Sequence, residues 1–388
     1  QGGTMCPSFK ATRDELHSTR GRANALRLAM SGQLKDIDLA SKPLIDALDL
    51  CLSCKACKSE CPSNVDMAKL KSEVWQMKHD KNGVSWRDRF IRDSAQWSGR
   101  FSGNGAAIIN FVQQSHWFRY MLEKWAGIEK QRTLPNHAVQ PFYRWFFRNY
   151  ETPKNTKKKV VLFADTYLNY HEPHVGRAAV NLLDGLGYEV ILANVGCCQR
   201  PKISNGFLKS AKQEGNLLAK KLDRFFQQGL KVVVCEPSCA SALTEDLPDL
   251  IEFIHLAQAM KNQIRMVDVF LQEEMEAGNI EKMPKPRFEE IHVHGHCHQK
   301  ALYGTKAMMQ LLAGKSVSEI PSGCCGMAGS FGYEKEHYLL SKKIGEEILL
   351  PTVRKLNPEA AVVACGVSCR QQIAHFTGKN ALHWVELF

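Results

Sequence analysis

The sequence predicts an α+β multidomain protein: a helical domain built around a cysteine run, followed by a duplicated α/β cysteine-rich domain with parallel strands. Three observations predict it. The run "CLSCKACKSECP", residues 51–62, sits between segments of helical apolar spacing. From about Lys157 the pattern changes to alternating strands and helices. That alternation recurs about 130 residues later with its cysteines in the same order, which an internal duplication explains most economically.

A chain of 388 residues exceeds one ordinary core, so several domains are expected: residues 1–80 helical with the cysteine run, 81–156 a helical aromatic-rich connector, 157–290 the first cysteine-rich repeat and 291–388 the second. A hydrophobic share of 44% and a charged share of 23% are those of a globular protein, and no apolar run is long enough to span a bilayer. The opening "QGGTMCPSF" has no initiator methionine and no apolar signal region, so the chain is expected to start inside a longer sequence. The net charge is +11, but the basic residues are scattered and only "KNTKKK" is dense, where a linker would lie. Nucleic acid is therefore not the expected partner; an anionic partner surface, an acidic substrate or a membrane face is. Fourteen clustered cysteines in a long chain without a signal point to metal or redox chemistry in a reducing compartment rather than to disulfides.

In order, "ATRDELHSTRGRANALRLAMSG" carries capping residues, helix formers and a terminal glycine, and "PLIDALDLCLSC" and "VDMAKLKSEVWQMKH" flank the cysteine run as helices. The connector holds five of the seven tryptophans and "PFYRWFFRNY". These aromatics read first as core or inter-domain packing and second as a docking surface for a partner or membrane. Then come strand "KKVVLFAD", helix "HVGRAAVNLLDGLG", strand "YEVILANV", helix "GFLKSAKQEGNLLAKKLDRFFQQG" and strand "KVVVCEPSC". The second round is strand "EEIHVHGHCHQK", the segment "EIPSGCCGMAGSFG", helix "LLSKKIGEEILLPTVRKL" and strand "AAVVACGVSC". Aligning the rounds sets Asp165 against Cys297, Cys197-Cys198 against Cys324-Cys325, and Cys235/Cys239 against Cys365/Cys369. Functional groups at the carboxyl ends of parallel strands are where such folds place their sites.

The run C-x2-C-x2-C-x3-C-P suits a cubane 4Fe–4S cluster: two-residue loops wrap Cys51, Cys54 and Cys57 around one cluster, and the fourth cysteine, Cys61, usually serves a second. A zinc knuckle is the competing reading, but it does not use a third cysteine at the same spacing before Cys-Pro. Cys6, in a second Cys-Pro, would complete the set of Cys51, Cys54 and Cys57, unless it is a buried free thiol. Cys61 would then reach toward a cluster whose other ligands precede Gln1. In the second repeat Cys297, Cys324, Cys325, Cys365 and Cys369 form a five-thiolate set whose charge calls for a metal, an iron–sulfur cluster or zinc. Neighbouring glycines in "GCCG" and "ACG" can bring backbone N–H groups to the sulfurs. The first repeat offers Cys197, Cys198, Cys235 and Cys239 and is the weaker site, metal-bound or vestigial packing, because Asp165 and Gln199 replace expected cysteine and glycine. His292, His294, His296 and His298 read first as polar strand-end residues and second as contacts of a cluster or substrate. Arg200 and Arg370 read as partners of anionic clusters or carboxylates, or as ordinary salt-bridging residues.

Together, "MCPSFKATRDELHSTRGRANALR", "CLSCKACKSECPSNVD", "EPSC", "HCHQKAL", "GCCGMAGSFGYEKEHY" and "GVSCRQQI" cover nearly the whole chain. They resemble the C-terminal iron–sulfur half of bacterial FAD-linked D-2-hydroxyacid dehydrogenases, of the D-lactate or D-2-hydroxyglutarate type. They are also similar to the iron–sulfur subunits of glycolate oxidase and anaerobic glycerol-3-phosphate dehydrogenase, and more distantly to the cysteine-rich subunit of heterodisulfide reductase. The resemblance implies a helical ferredoxin-like 4Fe–4S domain followed by two CCG repeats, with FAD on a separate domain or subunit and no FAD-binding residues in this chain. It implies an oxidoreductase component that carries electrons from reduced flavin to a quinone or other acceptor and does not oxidise a hydroxyacid alone. The C-x3-C spacing departs from the C-x2-C of heterodisulfide reductase repeats, which leaves Cys235 and Cys365 the least secure ligands of their sets. Two alternatives are a heterodisulfide-reductase-like cluster that itself reduces a disulfide or quinone, and a zinc-bound or metal-free docking module. The expected location is cytoplasmic, with peripheral contact at the inner membrane, and the aromatic connector makes self-association a further expectation.

Overall fold

The computed structural model describes residues 6–33, 37–152 and 158–388; the opening "QGGTM", most of "KNTKKK" and the expected boundary at 156/157 lie outside the described residues. α1 (Pro7–Thr12) precedes the helix expected over 11–32, which begins only at Thr19 as α2 (Thr19–Met30), because Ser18 adopts an extended backbone and its hydroxyl accepts from Gly21 N, starting the helix there. α3 (Lys42–Asp49), α4 (Ala56–Glu60) and α5 (Met67–Asn82) follow, α5 being capped by the Asp66 carboxylate. Leu26, Leu44, Leu48, Met67, Val74 and Trp75 close a small core between them.

The connector folds as α6 (Trp86–Arg92), α7 (Ser94–Phe101), α8 (Ala106–Gln114), α9 (His116–Ala126) and α10 (Phe142–Asn149). Only part of its aromatic content is packing. Phe142 and Phe146 are buried against the α/β core, whereas Phe111, Trp117 and Trp125 are 79%, 69% and 66% exposed. The face of α8 and α9 is therefore not core of this chain.

The α/β part opens with β1 (Lys158–Phe163), α11 (Thr166–Tyr170), α12 (Pro173–Gly185) and β2 (Tyr188–Ala193). It continues through α13 (Arg200–Ser204), α14 (Leu208–Phe226), β3 (Val232–Val234), α15 (Pro237–Ser241), α16 (Ile254–Gln263), β4 (Ile264–Met266) and α17 (Val267–Glu276). The strands form a parallel sheet in the order β2-β1-β3-β4. A second parallel sheet, β6-β5-β7, is built from β5 (Glu290–His294), α18 (Cys297–Leu302), α19 (Lys306–Leu311), β6 (Ser316–Glu319), α20 (Tyr338–Gly345), α21 (Leu349–Lys355), β7 (Ala361–Ala364) and α22 (Val367–Thr377). β4 and β6 were not legible in the sequence: β4 is three residues long, and β6 is an edge strand whose mostly exposed "SVSE" has no buried alternation. The helix expected over "LLSKKIGEEILLPTVRKL" is broken into α20 and α21. Pro351 cannot sit inside a continuous helix, so a new one begins with the proline in its first turn.

Strand side chains alternate between faces, and the two sheets use this to share a core. Val160, Leu162, Val233, Ile291, Val293 and Val363 point into one cluster that also takes Trp384 and Leu387 from the C-terminal turn. The opposite face of the first sheet, Val161, Phe163, Val232 and Val234, packs on α14. The opposite face of the second, Val362 and Ala364, packs with Leu349, Val353 and Ile373.

The helical part is tied to the second sheet's region at His337. Its Nε2 lies 2.7 Å from Asp49 Oδ2 and its Nδ1 3.0 Å from Glu334 Oε2, while the ring stacks on Phe331 at 4.1 Å. Burial works against the charged ring, but the two carboxylates outweigh it and lift the pKa to about 9. A histidine raised on folding stabilises the fold fully below its unfolded value of about 6.5 and loses that contribution as pH rises toward 9. The melting temperature is therefore expected to fall between pH 6.5 and 9, and His337→Gln should flatten that limb. An unchanged slope in the variant would assign the pH dependence to another group.

Candidate metal centre

Residues 51–61 leave α3 and wrap through two left-handed residues, Ser53 (φ 51°) and Lys55 (φ 61°), before α4. This compact path, unusual for side chains with a Cβ, turns Cys51, Cys54 and Cys57 inward. Cys6 joins them from the start of α1: Cys6 and Cys51 both raise the thiol pKa of Cys54 and of Cys57, so the four sulfurs share one locale. Burial is the first cause for both, pushing Cys57 to about 11 and Cys54 well above the ordinary value. Burial would also raise Cys6, but the Arg22 guanidinium, with Nη1 3.1 Å from Cys6 Sγ, overrides it and holds that thiol low. Cys61 caps α4 at its far end, and the backbone N–H groups of Val65 and Ser63 hold its thiol below the ordinary value.

Cationic side chains surround this locale. Arg22 is buried, reaching Cys6, Ser8 Oγ and Ala47 O. Lys71 donates to Asp49 O and Cys51 O, at 3.0 and 2.7 Å, and burial depresses its pKa. Lys55, inside the run itself, is fully buried between Asp66 (2.7 Å) and Asp246 (2.8 Å). Gathered thiolates are disfavoured by mutual repulsion and desolvation, and a coordinated metal reverses that preference by deprotonating them. The donor set of four sulfurs among three cations fits an anionic iron–sulfur cluster.

A second group lies at the carboxyl ends of β5 and β7. Cys297 contacts Cys324, Cys324 contacts Cys325, and Cys325 contacts Cys369. Cys54 borders this group: Cys297 is the largest charge acting on it, and Cys324 in turn feels Cys54. His294 completes a cluster in which its ring nitrogen and the sulfurs of Cys325 and Cys369 all lie within 4.8 Å of one another. Cys365 is elsewhere, its sulfur 3.5 Å from Met308 Sδ in the shared core. The structure therefore assembles four of the five cysteines expected together and separates the fifth.

Gly326 shows why "GCCG" needs its last glycine. Its N–H donates to Cys324 Sγ at 3.4 Å, its φ is 90°, and a Cβ there would meet Ser341 O at 2.3 Å. Gly326→Ala combines a disfavoured backbone with overpacking against backbone, and a loss of about 1–3 kcal/mol or more is expected in a urea midpoint. A wild-type midpoint would show that the turn relaxes without cost.

A third group joins Cys197, Cys198 and Cys239 at the ends of β2 and β3, with Cys198 Sγ 2.8 Å from Cys239 Sγ. Cys235 is again in the shared core, its carbonyl accepting from His383 at 3.1 Å. Asp165 caps α11 through Tyr167 N and Leu168 N, yet burial and the nearby Glu236 raise its pKa to about 7, and its Oδ2 has no hydrogen-bond partner among the described residues.

The other candidate residues divide. His292 faces Glu290 and Ser318 at the surface. His298 bridges the α/β part to the cysteine run, bonding Ser241 Oγ at 2.5 Å and Ser53 O at 2.9 Å. Burial keeps His294, His296 and His298 neutral, their pKa values depressed, that of His296 to about 3. Arg370 pairs with Glu172 and donates to the Ala364 and Cys365 carbonyls; Arg200 pairs with Asp246 at 2.5 Å and bonds Ser241 Oγ. Both arginines form ion pairs, and Cys198 and Cys239 act on Arg200 in the same direction as Asp246. Sequence reasoning missed Arg22, Lys55 and Lys71; the only available signal was the position of Lys55 inside the cysteine run.

A family model described as a 4Fe-4S dicluster domain matches residues 3–65, and one described as a cysteine-rich domain, CCG, matches residues 161–244. A subunit of the anaerobic glycerol-3-phosphate dehydrogenase of Escherichia coli is 26% identical over 333 residues, covering 84% of this chain and 82% of that protein. The D-2-hydroxyglutarate dehydrogenase of Pseudomonas putida is 24% identical over 99% of this chain, which spans 41% of that protein's length. The glycolate oxidase iron-sulfur subunit of Escherichia coli is 22% identical, over 98% of this chain and 90% of that subunit.

Proposed function

We propose, from the premise that this is an iron–sulfur and CCG chain homologous to the subunits just described, that it is the electron-transfer portion of an FAD-linked D-2-hydroxyacid dehydrogenase, of the D-lactate or D-2-hydroxyglutarate kind. The observation that carries the reading is the position of Cys54, shared between the helical cysteines and the Cys297–Cys324 pair. A 4Fe–4S cluster at Cys6, Cys51, Cys54 and Cys57 would supply one-electron redox chemistry there. The chain's own residues hold the site. Arg22 and Lys71 offset its negative charge, and the ion pairs of Lys55 and the bond from His298 fix it against the α/β part. The arrangement sets the helical site beside the second cysteine group, which extends the relay toward a quinone or other acceptor where that group also holds a cluster. The two parallel sheets, with cysteines at corresponding strand ends, support an internal duplication of the CCG unit, divided near residue 290. FAD and hydroxyacid oxidation belong to a separate domain or subunit. The exposed face of α8 and α9, with Ile108, Phe111, Trp117 and Trp125, is the surface proposed for peripheral contact at the cytoplasmic face of the membrane. No described helix is long and apolar enough to cross one.

The test is iron, zinc and acid-labile sulfide per chain after anaerobic purification, with EPR before and after dithionite. About four iron and four sulfide or more, with a signal on reduction, is the expected result. Zinc without sulfide would overturn the relay and leave a docking module. A second iron signal together with turnover of a disulfide by the chain alone would favour a catalytic role of the heterodisulfide reductase kind.

A further inference from the structure

We infer that His294, and not Cys365, is the fifth donor of the metal site formed by Cys297, Cys324, Cys325 and Cys369. The inference rests on the reading of that group as a metal site and deepens it.

Strand parity carries the argument. In β7, Ala361 and Val363 point into the core shared by the two sheets, and Cys365, the next residue of that parity, follows them. Val362 and Ala364 point to the opposite face, into the cluster that contains Cys325 and Cys369. Cys365 therefore lies on the wrong side of the sheet, against Met308, and reaching the other thiols would require turning the strand over. β5 pairs with β7 in parallel, His294 opposite Ala364. Ile291 and Val293 face the shared core, so His294 has the parity of the thiol side.

The side chain is prepared for the task. His294 is 0% exposed. Its Nδ1 is bonded to Ser322 Oγ at 2.7 Å, and its Nε2 has no hydrogen-bond partner among the described residues. Ligation through Nε2 requires Nδ1–H to donate to Ser322 Oγ, and the 2.7 Å contact provides that second hydrogen bond, by which ligating histidines are held. A ring nitrogen already lies within 4.8 Å of both Cys325 and Cys369 sulfurs. An orphaned, fully buried imidazole nitrogen is costly unless something occupies it, and a metal held with the Cys325 and Cys369 thiolates is the partner that chemistry offers. Replacing a fifth thiolate by a neutral imidazole also removes one negative charge from a buried site, a substitution that raises the potential of iron–sulfur centres.

The experiment compares the full chain with Cys365→Ala and His294→Ala, purified anaerobically, by metal and sulfide content and by pulsed EPR of the reduced protein, or of Co²⁺ exchanged into the site if it holds zinc. The wild type is expected to show a nitrogen hyperfine coupling from a bound imidazole, and Cys365→Ala is expected to keep both that coupling and the full metal content. His294→Ala should lose the coupling and the second site's metal, with the cluster at Cys6, Cys51, Cys54 and Cys57 retained. The wild-type coupling needs no variant, so misfolding of His294→Ala cannot hide the answer. Absence of a nitrogen coupling in metal-loaded wild type, or loss of the second metal in Cys365→Ala but not in His294→Ala, overturns the assignment. So does a chain holding only the helical cluster, an outcome that leaves the relay reading standing.

Discussion

Cys54→Ser is expected to remove about four iron and four sulfide per chain and the associated EPR signal on reduction, with the α/β part still folded by circular dichroism. Serine keeps the size of the side chain but not a sulfur that deprotonates readily onto iron. The consequence should exceed that of Cys57→Ser. Cys57 is raised by Cys51, Asp66 and Cys6, all on the helical side, whereas Cys54 also stands against Cys297 and Cys324. Cys54→Ser is therefore expected to perturb the second cysteine group as well, seen as a shift of any second metal signal, and Cys57→Ser to leave that signal in place. Full cluster content in Cys54→Ser would dismantle the ligand assignment, because no other described cysteine stands between the two groups.

The largest stability effect is expected from Lys55→Ala. The Lys55 ammonium is fully buried between the Asp66 and Asp246 carboxylates, and Asp246 in turn meets Arg200. Removing one member of a buried ionic set leaves an uncompensated charge, a loss of about 3–5 kcal/mol. Asp66 is the carboxylate left without its cation, and it also caps α5 through Ala68 N and Lys69 N, so the loss reaches that helix. The pH dependence carries a sign. Burial alone would raise the Asp246 pKa, but Arg200 and then Lys55 hold it well below the ordinary 3.8. A carboxylate depressed on folding contributes stability above its unfolded value, lost as pH falls below about 4 toward the folded value. Lys55→Ala should move the acid-unfolding midpoint to higher pH and lower the urea midpoint at pH 7. Changing Asp66 to Asn alongside it should recover part of the loss. A midpoint unchanged in both measurements would mean that water enters and replaces the ammonium.

How much of this was legible depends on the distance over which each feature is encoded. The C-x2-C-x2-C-x3-C-P spacing, the helices flanking it, and strands ending in cysteines are local patterns, and β1, β2, β3, β5 and β7 lie where their apolar runs place them. The break at Pro351 is also written locally, but the apolar spacing on either side continues across it and masks it. The exposed aromatic face of α8 and α9 could not be told from packing, since an apolar stripe reads the same whether or not something covers it.

The sequence by itself determined the kind of chemistry: thiolates in metal-binding number and spacing, carried at the ends of helices and parallel strands. Only the tertiary structure decided which thiolates meet. Cys235 and Cys365 have the same local surroundings as their partners, yet the alternation of β3 and β7 and the face each sheet turns to the shared core send them away. Cys54 feels the charge of Cys297, and Lys55 meets Asp246, across separations of about two hundred residues or more, and a pattern read along the chain carries no record of such pairs. Parity fixes that two neighbours in a strand point opposite ways; which of the two directions is the site is set by what packs on each face.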